Sequence, residues 1–285
     1  MQHRLAFALA LSLAGVAGSA GSALAQRMPD MATLDRGDGI SRLGLDFGAA
    51  FPDDSIEGFD AALRFDFFGQ LISRQGLGVY GSLPISILVG EGDNETALGN
   101  IEVGGLYVID SPAVSYVFRA GLALPTADDD GLGFAANVLA SWSRLTDLSQ
   151  AIPNATYLRL GFSPLYHANR VFLRADLGVD LAVQDDDQLE IAGVVFGFDA
   201  ENLFRINVGG GIDLGSVALM AELVNVASTS SLDDDDDNDF LNTFALSARF
   251  MGGSLQPYFT FGVPLDDLGR DVIDFFLGAG LQVAF

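Results

Sequence analysis

The stretch "NRVFLRADLGVDLAVQDDD" (169–187) separates into two faces. Val171, Leu173, Ala175, Leu177, Val179, Leu181 and Val183 form one, and Arg170, Phe172, Arg174, Asp176, Gly178, Asp180 and Ala182 form the other. Such alternation is the period of a β-strand rather than of a helix. It recurs in "SRLGLDFGAAF" (41–51), "FDAALRFDFFG" (59–69), "SYVFRAGLALPT" (115–126), "FRINVGGGIDL" (204–214) and "DFFLGAGLQVAF" (274–285). Weaker examples lie near 79–89, 97–109, 157–163, 189–198, 217–227, 240–250 and 255–263. Turn-forming runs rich in Asp, Gly, Pro and Ser separate them, such as "PDDSIEG", "SRQGLG", "GEGDNET" and "STSSLDDDDDND". The pattern predicts one all-β domain built of successive antiparallel hairpins.

Composition decides which face is wet. Mean hydropathy is positive (+0.34) although the net charge is −24. A soluble domain with this much charge is rarely so apolar, and nothing after residue 25 has the long uninterrupted apolar run of a spanning helix. A transmembrane up-and-down β-barrel removes the conflict, because half of each strand faces lipid while charges occupy loops and lumen. A soluble β-sandwich, with the Arg/Asp faces in water, is the competing architecture.

The first residues, "MQHRLAFALALSLAGVAGSAGSALAQ", have a short basic start, an apolar run from Leu5 to Ala17 and the small residues Ala23-Leu24-Ala25. They read as a secretory signal peptide over 1–25, because the apolar run is too short for a membrane anchor. Residues 26–38 then read as a periplasmic tail and 39–285 as the barrel. Removing the signal takes away one Arg and no acid, so the charge becomes −25. Such a chain has no affinity for nucleic acid. There is no Cys, so the exported fold has no disulfides.

The terminal strand places Phe275, Leu277, Ala279, Leu281, Val283 and Phe285 on one face and ends on an aromatic residue. It resembles the last strand of bacterial, Gram-negative outer-membrane barrels. That resemblance implies outer-membrane localisation, with Phe285 as the signal read by the barrel assembly machinery. "FRAGLALPTADDDG" (118–131) is similar to a strand-then-loop pattern of channels linked to phenol-degradation (meta-pathway) operons, with Ala127 in place of the usual Gly. The match covers one hairpin and implies passive uptake of small solutes, aromatic ones among them.

Both ends of such a barrel belong on the periplasmic side, so the strand number is even. Thirteen segments are readable. If "GFAANVLASWSRLTDLSQ" (133–150) supplies another strand at 133–142, the total is 14; if it is helical, 12 strands follow on dropping or merging a weak segment. In the 14-strand assignment "QDDDQ" (184–188) falls on the periplasmic side, away from the other Asp runs.

With apolar faces in lipid, the lumen receives Arg42, Arg64, Arg119, Arg159, Arg170, Arg174 and Arg205 against Asp46, Asp60, Asp66, Glu102, Asp176, Asp180, Asp213, Glu222 and Asp274. Near-balance of confined charges predicts a network of Arg–carboxylate pairs. Arg64, Asp66, Arg119, Arg159, Arg174, Asp176, Arg205 and Glu222 are the candidates for a constriction that selects solutes. The plainer alternative is that these pairs only stiffen the lumen.

The surplus negative charge lies in loops: Asp128–Asp130, Asp233–Asp237 and Asp266–Asp267. Such a vestibule concentrates cations and discourages anions. Asp233, Asp235 and Asp237 are also candidate ligands for loosely bound Ca2+ or for divalent bridges to lipopolysaccharide. "LDDDDDNDF" lacks the internal Gly and closing Glu of an EF-hand, and a solvated loop explains it as well. No cofactor is otherwise expected. Enzyme chemistry has little to stand on, since the mature chain has a single His, His167, and a Ser/His/Asp centre would need it well placed. The sequence therefore favours a passive, cation-preferring outer-membrane channel for small solutes. The alternative is a non-conducting surface barrel whose acidic loops hold cations or a partner.

Overall fold

The computed structural model describes residues 29–53, 56, 58–90, 94–183, 189–191, 194–196, 201–229 and 240–285. The strands are β1 (Arg42–Pro52), β2 (Phe59–Ile72), β3 (Leu77–Gly90), β4 (Glu95–Leu98), β5 (Glu102–Asp110), β6 (Val114–Ala123), β7 (Tyr157–Ala168), β8 (Val171–Ala182), β9 (Leu189–Ile191), β10 (Val194–Phe196), β11 (Leu203–Asp213), β12 (Val217–Ser228), β13 (Leu241–Phe250), β14 (Leu255–Pro264) and β15 (Ile273–Ala284). Helix α1 is Gly131–Ser141, continued by a 3-10 segment at Trp142–Gln150, and α2 is Asp267–Val272.

Each main strand pairs antiparallel with the next. β15 pairs with β1 and β2 with β3, which closes the ring. β4 and β5 share one wall position, pairing with Ile85–Leu88 and Leu77–Ser82 of β3. The result is a closed 12-strand barrel. Closure leaves no unpaired edge, which is the condition for a sheet to stand in lipid.

The wall faces as the alternation requires. Along β8, Leu173 and Leu177 are exposed while Arg174 and Asp176 between them, and Asp180 beyond, are buried. Phe67, Val103, Ile206, Leu219, Leu246, Phe259 and Leu281 extend the apolar exterior around the ring. An apolar belt this continuous has no place in water.

All long connections lie at one end of the barrel. The short turns at 73–76, 111–113, 169–170, 214–216 and 251–254 lie at the other, together with the start of β1 and the chain end. Phe285 N–H donates to Ser41 C=O there.

The structure decides the strand number left open between 12 and 14, and it corrects the reading of residues 29–38 as an external tail. Residues 133–142 are helical: Asp130 caps α1 by accepting from Gly133 N–H (2.7 Å), and Ala and Leu without alternation favour the helix. The 189–198 segment contributes only β9 and β10, which pair with each other outside the barrel sheet. Losing both strands gives 12. It also moves the connection from β8 to β11, with "QDDDQ" within it, to the long-loop end beside the other Asp runs; residues 184–188 themselves lie outside the described residues. Finally, residues 29–38 do not hang outside as a tail. They run up the bore, with Met31, Leu34 and Asp35 at most 1% exposed, because their carboxylates meet wall arginines that have too few acids of their own. The signal peptide and Asp233, Asp235 and Asp237 lie outside the described residues.

Candidate functional site

The bore is entered from both ends. From the short-turn end comes the strap, residues 29–41, and from the long-loop end comes the insert, α1 with its 3-10 continuation. The two meet at mid-height. Arg144 of the insert donates to the carbonyls of Ala32 and Leu34 (the latter at 2.7 Å) and pairs with Asp147 at 2.6 Å. The backbone leaves helical geometry at Arg144 (φ −155°, ψ 67°), which turns its side chain toward the strap.

The insert is fixed to the wall by Asn100, where the chain breaks between β4 and β5. Its Nδ2 donates to the carbonyls of Ser149 (3.0 Å) and Ile152 (2.6 Å), and its Oδ1 accepts from Thr126 and Ala127 N–H. The break in the strand frees backbone groups that the insert then satisfies: Asn100 N–H donates to Gln150 C=O at 2.7 Å. Ala136, Leu139, Ala140, Trp142, Leu145 and Leu148 add apolar packing against the inner wall.

The strap is held mainly by charge. Asp35 pairs with Arg119 (3.0 Å), Arg159 (3.5 Å) and Arg205. Arg36 pairs with Asp46 (2.5 Å) and Asp66 (2.7 Å) and lies over the Phe68 ring. Asp30 meets Arg42 (2.8 Å) and Arg249 (3.7 Å), and Asp38 meets Arg42. Glu222 cradles the strap backbone, accepting from Ala32 N–H (3.0 Å), Thr33 N–H (2.6 Å), Thr33 Oγ1–H (2.8 Å) and Leu34 N–H (3.3 Å). A carboxylate that takes three backbone N–H groups supplies acceptors to a segment with no sheet partner.

All eight candidate residues point into the bore and are at most 8% exposed. Arg159 is the hub, touching Glu102, Asp147 (3.3 Å), Asp180 (3.2 Å) and Asp35. Arg205 joins Asp180 at 2.8 Å, and Arg64 donates to Gln150 Oε1 at 2.7 Å. Asp176 accepts from Ser163 Oγ–H at 2.5 Å. Arg174 meets no carboxylate within 4.0 Å among the described residues and donates only to Ser163 Oγ. By contrast Asp60, Arg170 and Asp274 are exposed at strand ends, and Asp213 is half-buried beside a turn. Alternation alone could not show where a strand leaves the bore.

The sequence reading missed Arg249, Arg144, Asp147 and the charged residues of the strap. A signal was present: Asp30, Asp35, Arg36 and Asp38 crowd into nine residues otherwise carrying Met31 and Leu34. Asp147 sits on the insert rather than on a spanning strand. Burial alone pushes its carboxyl up, but the guanidiniums of Arg144, Arg159, Arg64 and Arg36 outweigh this and hold it well below the usual carboxylate range. Two small cavities flank the strap. One lies against Tyr80, Glu102 and Arg119, the other against Asp46, Arg64 and Tyr258, and each has room for little more than a water molecule.

No protein-family model matches this chain, and no curated protein matches it in sequence. Solved structures do match in shape. An outer-membrane channel from Pseudomonas putida F1 superposes with a TM-score of 0.57 at 11% identity, over 88% of this chain and 100% of that one. The NanC porin superposes with a TM-score of 0.53 at 9% identity, over 85% of this chain and 100% of the porin. The fold is that of outer-membrane channels. Within this barrel, the bore brings together buried ionic chemistry, water-sized cavities and the strap. Among the described residues no cluster of His, Cys, Asp and Glu suited to a metal ion is found.

Proposed function

We propose that the protein is a passive outer-membrane channel for small solutes, closed in the conformation described by its strap and insert. The observation that carries this reading is the chemistry of the closure. Apolar burial of the strap involves a few small contacts, at Pro29, Met31, Ala32 and Leu34, with Arg36 over the Phe68 ring; most of its side-chain contacts are ion pairs and hydrogen bonds, which water can replace. A fully apolar plug would have to expose its whole face on leaving. The insert, packed on the wall and joined to it at both ends, is the fixed part, and the strap, which has no sheet partner before β1 among the described residues, is the part that moves. Twelve strands enclose a bore between the filled eight-strand barrels and the wide porins, which suits small solutes.

In this reading the short-turn end and both termini face the periplasm, as in barrels whose longer loops are external. Phe285 serves assembly. The acidic loops at the long-loop end, Asp128–Asp130 and Asp266–Asp267 with Asp233–Asp237, concentrate cations at that mouth and meet lipopolysaccharide through divalent ions.

The filled bore specifically favours one rival, a surface barrel that never conducts and binds cations or a partner through those loops. Planar-bilayer recording of the purified full-length chain separates them. The channel reading expects discrete, brief openings with potassium favoured over chloride. Silence at every applied voltage would favour the rival.

A further inference from the structure

The wall does not balance its own charges. Arg42, Arg64, Arg119, Arg159, Arg174, Arg205 and Arg249 point inward against Asp46, Asp66, Glu102, Asp176, Asp180 and Glu222, and the excess is not spread evenly. At the short-turn end, the only carboxylates within 4.0 Å of Arg42 among the described residues are Asp30 and Asp38, both on the strap. Arg249 has only Asp30, at 3.7 Å, and Arg174 has none. Higher up, Arg119 reaches Asp35 of the strap at 3.0 Å but the wall's Glu102 only at 3.9 Å. Nε of Arg174 and Nη1 of Arg249 have no hydrogen-bond partner among the described residues, although both side chains are almost fully buried.

The geometry points to the strap as a built-in stand-in for an anion: Asp30, Asp35 and Asp38 occupy an arginine-lined site on the bore wall that a small carboxylate-bearing anion takes when the strap withdraws. Buried guanidiniums are costly without acceptors, so a bore emptied of the strap recruits anions to them. Rings of arginine are also what an anion path needs. Loss of Arg36 with the strap frees Asp46 and Asp66, but these face Arg64 of the wall and Arg144 of the insert. The strap therefore competes with a bound anion for the bore wall as well as closing the bore.

Two variants test this: a chain lacking residues 29–38, and the full-length triple variant Asp30→Asn, Asp35→Asn, Asp38→Asn. Citrate is the probe, titrated calorimetrically into detergent-solubilised barrels at low salt, with folding checked by heat-modifiable gel mobility. The truncated barrel is expected to bind citrate at least about tenfold more tightly than the full-length chain, and to lose that binding when Arg42→Gln, Arg119→Gln and Arg249→Gln are added. Equal affinities, or binding indifferent to those arginines, would overturn the inference. Should the truncated chain not fold, the triple variant decides by the same criterion.

A second arm rests on the channel reading: because the strap has left the bore in every opening, citrate added to the bath should interrupt the openings of both chains. Openings indifferent to citrate overturn the inference and leave the channel standing. Silence of both chains sinks the channel reading, while citrate binding still decides the anion site.

Discussion

Glu222 offers the sharpest test of how the strap is held. One of its oxygens accepts from Thr33 N–H, Thr33 Oγ1–H and Leu34 N–H, and the other from Ala32 N–H and Ser247 Oγ–H. In Glu222→Gln the amide keeps shape and volume but has one acceptor oxygen and no charge. With that oxygen turned to the threefold position, Ala32 N–H faces an NH2 group and loses its bond. The three remaining bonds lose charge assistance, which roughly halves each of them. An unmet buried donor costs about 1–3 kcal/mol and a charged hydrogen bond is worth about 1.5–3 kcal/mol, so docking of the strap should weaken by about 3 kcal/mol after partial resolvation.

At about 1.4 kcal/mol per decade, that is a roughly hundredfold rise in the undocked population. Hydrogen exchange resolved to peptides covering Ala32–Leu34 reads this population directly, since those amides exchange when the strap leaves. The expected result is about hundredfold faster exchange there, with amides in β11 and β12 unchanged. Exchange at Ala32–Leu34 within about threefold of the parent, in a folded barrel, would refute the claim that Glu222 docks the strap.

Two further outcomes follow from the same structure. Gly76 sits at φ +83° in the turn between β2 and β3, where an added Cβ would lie 2.1 Å from Val108 C=O; Gly76→Ala should cost about 1–3 kcal/mol and lower the temperature of heat-modifiable unfolding, whereas Gly253→Ala, with open space around it, should not. Acid should leave the insert seated over a wide range. Because the carboxyl of Asp147 is depressed when folded, its stabilisation is complete above the ordinary value of 3.8 and is lost only as pH falls through the lower folded value. Emission from Trp142, the chain's single Trp and buried in the insert, should hold steady from about pH 7 to about pH 4; a transition centred above about pH 5 would contradict the ion-pair account.

Which parts of this were legible in the sequence follows from what periodicity can encode. The wall was readable because a two-residue repeat marks both the strand and its lipid face, as Leu173 and Arg174 show. The strands and the inward set from Arg64 to Glu222 came from that repeat, the barrel from the repeat together with composition, and the even strand number from placing both chain ends on one side. The insert was ambiguous, since "GFAANVLASW" carries neither strict alternation nor a clear helical stripe: α1 is buried on nearly all sides. The strap carries no repeat at all, because a segment surrounded by a polar bore has no apolar face to declare. Its presence could have been inferred from charge. Once Asp60, Asp213 and Asp274 are set at strand ends and Arg249 is added, the wall has more arginines than acids, and Asp30, Asp35 and Asp38 are the nearest unassigned carboxylates in the chain.

Everything above depends on which face of the wall meets lipid, and the absence of native Cys makes that measurable at single positions. Cysteine introduced at Leu173 and, separately, at Arg174 in intact outer membranes can be challenged with a thiol reagent confined to the lipid phase. The account predicts modification at 173 and protection at 174, which is 4% exposed. Modification at 174 with protection at 173 would turn the barrel inside out and remove the ionic bore from which its function is argued.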